Sequence, residues 1–172
     1  MDITFSSDIG YSRKDLDETS KLAEEYFGTK KDKNQIPTTK ETRDWVFKNI
    51  QDYVNLIKHN GKIIGFSFAI PTNKKIMNMF LNSKITEREL FEKVKTSEIQ
   101  DIPEAIYLCS AVIKKEYQQK GLAITAFTKT IGNILSSSKE KPVLFYEPYS
   151  IEGDKLAKKI AITTHLKLLK KE

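Results

Sequence analysis

This 172-residue chain is poor in several residue types, and each scarcity excludes something. Cys109 is its one cysteine, so no internal disulfide can form. That suits a reducing compartment, and a cytoplasmic location is expected. His59 and His165 stand far apart in sequence, which makes no His/Cys set, and no metal is expected. No apolar run approaches the ~20 residues that cross a bilayer, so no membrane association is expected. The opening MDITFSSDIG carries an early acid and lacks a basic-then-apolar pattern, so no signal peptide is expected. Arginine is confined to Arg13, Arg43 and Arg88, whereas readers of nucleic-acid bases lean on arginine.

Lysine is abundant instead. The formal net charge is +6, almost all of the excess being lysine. Diffuse lysine describes a solvated surface with a mild pull on anionic ligands, and a nucleic-acid partner is not expected. Apolar residues make up 39% of the chain and charged residues 30%, a balance that supports a packed core in a globular protein. Without repeats, low-complexity tracts or Pro/Gly-rich linkers, residues 1–172 read as a single domain.

The order of elements follows from periodicity and punctuation. Ile3 and Phe5 suggest an opening strand. Ser12 and Asp15 form a capping box ahead of Leu16, Ser20, Ala23 and Phe27 at helical spacing, and Gly28 suits the stop. Lys30 to Gln35 reads as a polar loop. Thr38 and Glu41 suggest a second capping box before Trp45, Val46 and Ile50. Asn60-Gly61 between Val54–Lys58 and Lys62–Ile70 is the strongest short hairpin signal, and Pro71 is expected to end the second strand. Helical segments around Ile76, Met77 and Phe80, then behind Thr86 and Glu89, lead to a buried strand at Ala105 to Ile113. A helix carrying Ile124, Phe127, Ile131 and Leu135 follows Gly121. Ser136 to Lys141 is a loop, Pro142 opens the strand Val143 to Tyr146, and a helix from about Glu152 to Ile162 precedes an apolar tail. A hairpin followed by strand–helix–strand predicts an α/β (α+β) architecture, a mixed sheet with helices on its faces.

The turn between the strand ending at Ile113 and the next helix carries the chemistry. Amides of a first helical turn have no partners within the helix, and the dipole adds partial positive charge, so such an end accepts anions. Gly121 permits close approach to the backbone, and Lys114, Lys115 and Lys120 add charge. Spacing alone leaves two readings open: a phosphate-binding turn, or a tight turn with solvated lysines.

Gln118-Gln119-Lys120-Gly121-Leu122-Ala123, led in by Glu116-Tyr117, resembles the Q/R-x-x-G-x-G/A pyrophosphate loop of the GNAT superfamily of N-acetyltransferases. The element order resembles that family's over nearly the whole chain. The resemblance implies a GNAT-like, mostly antiparallel central sheet and acetyl-CoA as acyl donor. It implies a primary amine as acceptor, direct transfer in a ternary complex, and a monomer or a homodimer. It would place the pyrophosphate on the amides of Gln118, Gln119, Lys120, Gly121, Leu122 and Ala123, with Thr125 within reach. The pantetheine arm would pair with Ala111, Val112 and Ile113, where the strand splays from the next.

The side chains depart from the family pattern. Tyr107 stands where many members carry a glutamate base on the fourth strand. In alignment with the family's N-x-x-A-x-x-L-Y pattern through Leu156, Ala157 replaces the tyrosine acid. Tyr146 and Tyr149 are the nearest replacement acids, and Glu104 and Glu147 are nearby carboxylates. Cys109 reads as a buried thiol, both histidines as surface residues, and Trp45 and Phe80 as core or as acceptor-cleft walls. A GNAT-like module that binds CoA without turnover remains the alternative.

Overall fold

The computed structural model describes residues 2–28, 32–136 and 138–172. The start of the Lys30–Gln35 loop and one residue of the Ser136–Lys141 loop lie outside them. In chain order the elements are β1 (Ile3–Phe5), α1 (Ser6–Ile9), α2 (Arg13–Phe27), α3 (Lys40–Asn49), β2 (Val54–His59) and β3 (Lys62–Thr72). Then come α4 (Lys74–Leu81), α5 (Glu87–Lys95), β4 (Ala105–Ile113), α6 (Leu122–Leu135), β5 (Val143–Tyr146), α7 (Ile151–Thr164) and β6 (Leu168–Lys170). Short 3-10 turns precede β2, at Gln51–Tyr53, and follow β4, at Lys115–Tyr117.

The strands lie side by side in chain order. β1 through β4 pair antiparallel, while β4–β5 and β5–β6 pair parallel. Helices cover both faces. Asn55 Nδ2 donates to the Ala126 carbonyl at 2.9 Å, which sets α6 against one face. Adjacent strand residues point to opposite faces, so Val54 and its cross-strand partner Phe68 turn to the other, where they meet α2. The principal core holds Leu56, Ile70, Phe80, Leu90, Phe91, Ile106, Tyr107 and Phe145, each fully buried. Each such side chain contributes about 1.5–3 kcal/mol of burial.

Local chemistry explains the helix ends. Ser12 Oγ accepts from the Asp15 amide at 3.1 Å and Asp15 accepts from the Ser12 amide at 3.0 Å, the expected box. Gly28 ends α2 with φ 60°. Asn60 (φ 50°) and Gly61 (φ 79°) make the hairpin turn. The cap of α3 lies one residue later than expected: Thr39 Oγ1 accepts from the Thr42 amide at 3.2 Å, while Thr38 bonds Glu24 instead. Pro71 does not end β3, which runs on to Thr72. β2 pairs with β3 only as far as Phe68, so Pro71 occupies a stretch with one free edge, where a missing N–H removes no ladder bond. Among the described residues no helix is long and apolar enough to cross a membrane.

Candidate active site

Two irregularities meet on β4. Its pairing with β5 covers only Ala105 to Tyr107, after which the two strands part. One residue further on, the register with β3 slips: Ser110 faces Phe68 and Leu108 faces Ala69, so Cys109 is the extra residue of a bulge. A bulge breaks the alternation of side chains. Cys109 and Ser110, consecutive in sequence, accordingly both line the same cavity. From Leu108 onward the β5-side edge of β4 has no strand beside it.

Beyond the open end of β4 lies the glycine turn. Gln119 (φ 63°) and Gly121 (φ 73°) are both left-handed. Left-handed residues in a turn can swing successive amides to one side, as in an anion-binding nest. For a non-glycine such as Gln119 this conformation costs about 1–3 kcal/mol and marks a site held by its surroundings. No side chain caps the start of α6. A Cβ built on Gly121 would have no atom within 4 Å, so the space over the loop is open. The residues therefore fit a pyrophosphate, and Gln118, Gln119, Lys120 and Gly121 are all exposed. Thr125 Oγ1 donates to the Gly121 carbonyl at 2.9 Å, tightening the first turn. Gln118 Nε2 donates to the Ile113 carbonyl at 2.8 Å, tying the loop to the end of β4.

His59 is not a free surface residue. Its Nδ1 lies 2.7 Å from the Tyr117 hydroxyl, and the rings meet edge to face. Tyr117, Leu122 and Ile113 pack on a small second core of Phe5, Ile57, Ile64 and Ala126. The loop is thus anchored from below by apolar contact, by the His59–Tyr117 hydrogen bond and, at its start, by the Lys114 amide donating to the Ile64 carbonyl at 2.8 Å.

On the face opposite α6 a cavity of about 280 Å3 opens between α2, α3, the segment 32–39 and the sheet. Leu16, Ala23, Ile36, Val46, Val54 and Phe68 form its apolar walls. At its inner end is Glu87, the first residue of α5, only 8% exposed. Glu87 Oε1 accepts from the Tyr107 hydroxyl at 2.9 Å and from the Cys109 thiol at 3.6 Å, and Oε2 accepts from the Ile36 amide at 3.5 Å. No cation pairs with it among the described residues. Burial pushes its carboxyl above the ordinary range, and nearby Glu147 adds to the push, although the three donors favour the charged form. Burial, and then Glu87, raise the Tyr107 hydroxyl and the Cys109 thiol as well. Cys109 is therefore a protonated thiol, not a nucleophile.

The two candidate acids separate. Tyr149 lines the cavity, its hydroxyl donating to Glu147 at 2.9 Å. Partial burial, then Glu87 and Glu147, raise its pKa. Tyr146 is buried, and its hydroxyl turns away to Asp154 on α7. Burial and that carboxylate push its pKa up to about 12. Glu104 accepts from the Lys74 amide at 2.8 Å and so caps α4. Trp45 packs edge to face on Phe91, and Phe80 is fully buried beside Tyr107, so both belong to the core.

Sequence reasoning missed Glu87, though a signal was present. Positions 87, 90, 91 and 94 form the apolar stripe of α5, all buried, and an acid stands on that stripe.

The backbone is similar to those of solved N-acetyltransferases. A ribosomal-protein-alanine N-acetyltransferase from Brucella melitensis biovar Abortus 2308 matches 92% of this chain and 90% of its own length, with TM-score 0.52 and 15% identity. This chain has the GNAT fold. An aminoglycoside acetyltransferase from an uncultured soil metagenomic sample, in complex with trehalose, matches 95% of this chain and 86% of its own, at TM-score 0.49 and 16% identity. The diaminobutyrate acetyltransferase of Paenibacillus lautus, in complex with L-2,4-diaminobutyric acid and coenzyme A, matches 78% at TM-score 0.46 and 11% identity. This chain spans 57% of that enzyme's length. No protein-family model and no curated protein matches the sequence.

Proposed function

We propose that this protein is an N-acetyltransferase that moves an acetyl group from acetyl-CoA to a primary amine by direct transfer in a ternary complex. The observation that carries the reading is the fork after Tyr107, flanked on one side by the left-handed turn at Gln119 and Gly121 and on the other by an open-mouthed cavity containing an acid. Acetyl-CoA would supply the activated acyl group. The loop Gln118 through Ala123 would hold its pyrophosphate at the α6 N-terminus, chiefly through the amides after Gln118, whose own N–H is bonded to the Lys115 carbonyl at 3.2 Å, with Lys120 adding charge. The open edge of β4 at Ala111, Val112 and Ile113 would accept the pantetheine arm, and amides there would stabilise oxygen as negative charge develops on it. Tyr149, at the cavity, is the better placed hydroxyl for a departing thiolate, to which its proton would have to turn from Glu147. Its raised pKa keeps that hydroxyl protonated throughout.

Thermal melting with and without CoA tests the donor half. At ligand one hundred times above Kd the stabilisation is about 2.7 kcal/mol, or roughly 5–11 °C for a chain of this size. Gly121→Glu abolishes the shift. Gly121→Ala, which carries the same backbone strain without the carboxylate, retains part of it. A wild-type protein that shows no shift with CoA refutes the reading. Thiol release with amines tests the transfer half, and tight CoA binding without release from any amine would leave a CoA-binding module.

A further inference from the structure

The cavity describes its own occupant. Its accessible surface is mainly apolar, aliphatic and aromatic side chains being interspersed with a few hydroxyls, and Tyr26 (44% exposed), Phe27 (40%) and Tyr149 (60%) bring large exposed apolar surfaces to the same cavity. Exposed apolar surface gathered at one opening marks a binding region. Two buried acceptors lack what they require. Among the described residues Glu87 has no counter-cation, and Gln35, which lines the same cavity, has its side-chain Oε1 buried without a hydrogen-bond partner. Buried acceptors are nearly always given donors, by the protein, by water or by a ligand, and this one, on Gln35, borders a cavity that has room for a ligand. Arg43, the one basic residue in the lining, is already committed to Asp17 at 2.8 Å and to the Thr38 carbonyl at 2.6 Å. A volume of 280 Å3 corresponds to roughly nine waters at ~30 Å3 each, and hence to a body of about that many heavy atoms.

We infer that the acceptor is a primary amine carried on a compact alkyl or aryl body, its ammonium lodged between Glu87 and Gln35, with Glu87 as the base that deprotonates it. The inference rests on the N-acetyltransferase reading for its chemistry but not for its binding. Three N–H donors of an ammonium satisfy both acceptors, and its charge neutralises the buried carboxylate. Glu87 takes the ammonium proton and returns it to solvent. As the N–C bond forms and the C–S bond breaks, nitrogen loses its second proton, which leaves on the thiol. The base comes from α5, in the long β3–β4 connection, and reaches the site beside Tyr107 on β4. Polycations do not match a lining that holds one acid and an arginine, and short polar amines leave the apolar part of the cavity unfilled.

Calorimetric titration of the protein without any acyl donor tests this. Propylamine, butylamine, pentylamine and hexylamine should bind progressively tighter, by about fourfold per methylene until the cavity is full. 1-Hexanol, which has the body without the charge, should bind at least tenfold more weakly than hexylamine. Glu87→Gln should lose most of the hexylamine affinity and keep that for hexanol. Ethanolamine or spermidine binding as tightly as hexylamine overturns the inference, as does hexanol matching hexylamine on the wild-type protein. CoA binding without alkylamine binding would sink the acceptor assignment alone. Alkylamine binding without a CoA shift would sink the transferase reading and leave the cavity assignment standing.

Discussion

A methyl group added at Gly65 and one added at Gly132 should move stability in opposite directions. Gly65 faces Ile113 across the β3–β4 ladder. A Cβ there would lie 2.5 Å from the Val112 carbonyl oxygen, 2.8 Å from Ile113 Cδ1 and 3.2 Å from Ile113 Cα. The Ile113 methyl can swing aside, but the carbonyl and Cα are backbone and move only if the end of β4 moves. Overpacking of this sort costs about 1–3 kcal/mol, which is roughly 2–12 °C in Tm at 2–4 °C per kcal/mol. Gly132 lies inside α6 with an ordinary helical φ, and a Cβ there meets no atom within 4 Å. Alanine at that site restricts the unfolded chain and favours the helix, a gain of about 0.4–1 kcal/mol. Differential scanning calorimetry of Gly65→Ala, Gly132→Ala and wild type checks both signs. Gly65 abuts Val112 and Ile113 from the β3 side, and a shift of that backbone also moves the opposite edge proposed for the donor, so Gly65→Ala should weaken CoA binding while Gly132→Ala leaves it intact. If Gly65→Ala melts at or above wild type, the close approach of β3 to β4 at this point is wrong, and with it the shape of the donor edge.

Two further outcomes follow from caps and charges. Thr39→Ala should cost about 1 kcal/mol of stability through loss of the α3 cap, readable as a lower urea midpoint at unchanged slope. Glu87, faced by Tyr107, Cys109, Tyr149 and Glu147, has a folded pKa above its unfolded value. Its contribution is complete below the unfolded value, about 4.5, and is lost as pH rises through the folded one. Asp15, Asp17 and Asp44 have lowered values and act oppositely, their contributions disappearing as pH falls. Glu87→Gln should therefore gain on wild type as pH rises from 5 to 8, and a constant stability difference across that range would show that Glu87 is not perturbed.

Much of this architecture was legible in the chain. Capping boxes, the Asn60-Gly61 turn and the placement of strands are local, because backbone hydrogen bonds and steric preferences act over a few residues. The glycine turn was legible for the same reason: Gly121, the amides around it and the helix start behind it are consecutive. Pro71 and Thr38 misled because their roles depend on neighbours distant in sequence, the end of β2 in one case and Glu24 in the other. Tyr146 and Tyr149 looked equivalent three residues apart, and only packing sent one hydroxyl to Asp154 and the other to the cavity.

The acceptor side was beyond the reach of sequence patterns. Glu87 and Tyr107 are 20 residues apart, Ile36 is 51 residues from Glu87, and the bulge at Cys109 exists only relative to β3. By itself the sequence determined the mixed sheet and the left-handed glycine turn ahead of α6, since both arise from short-range geometry. Tertiary structure alone decided that an acid from α5, with no counter-cation among the described residues, would stand in a mainly apolar cavity at the fork of β4 and β5. A site of that kind exists only when segments far apart in the chain remove the same volume from water.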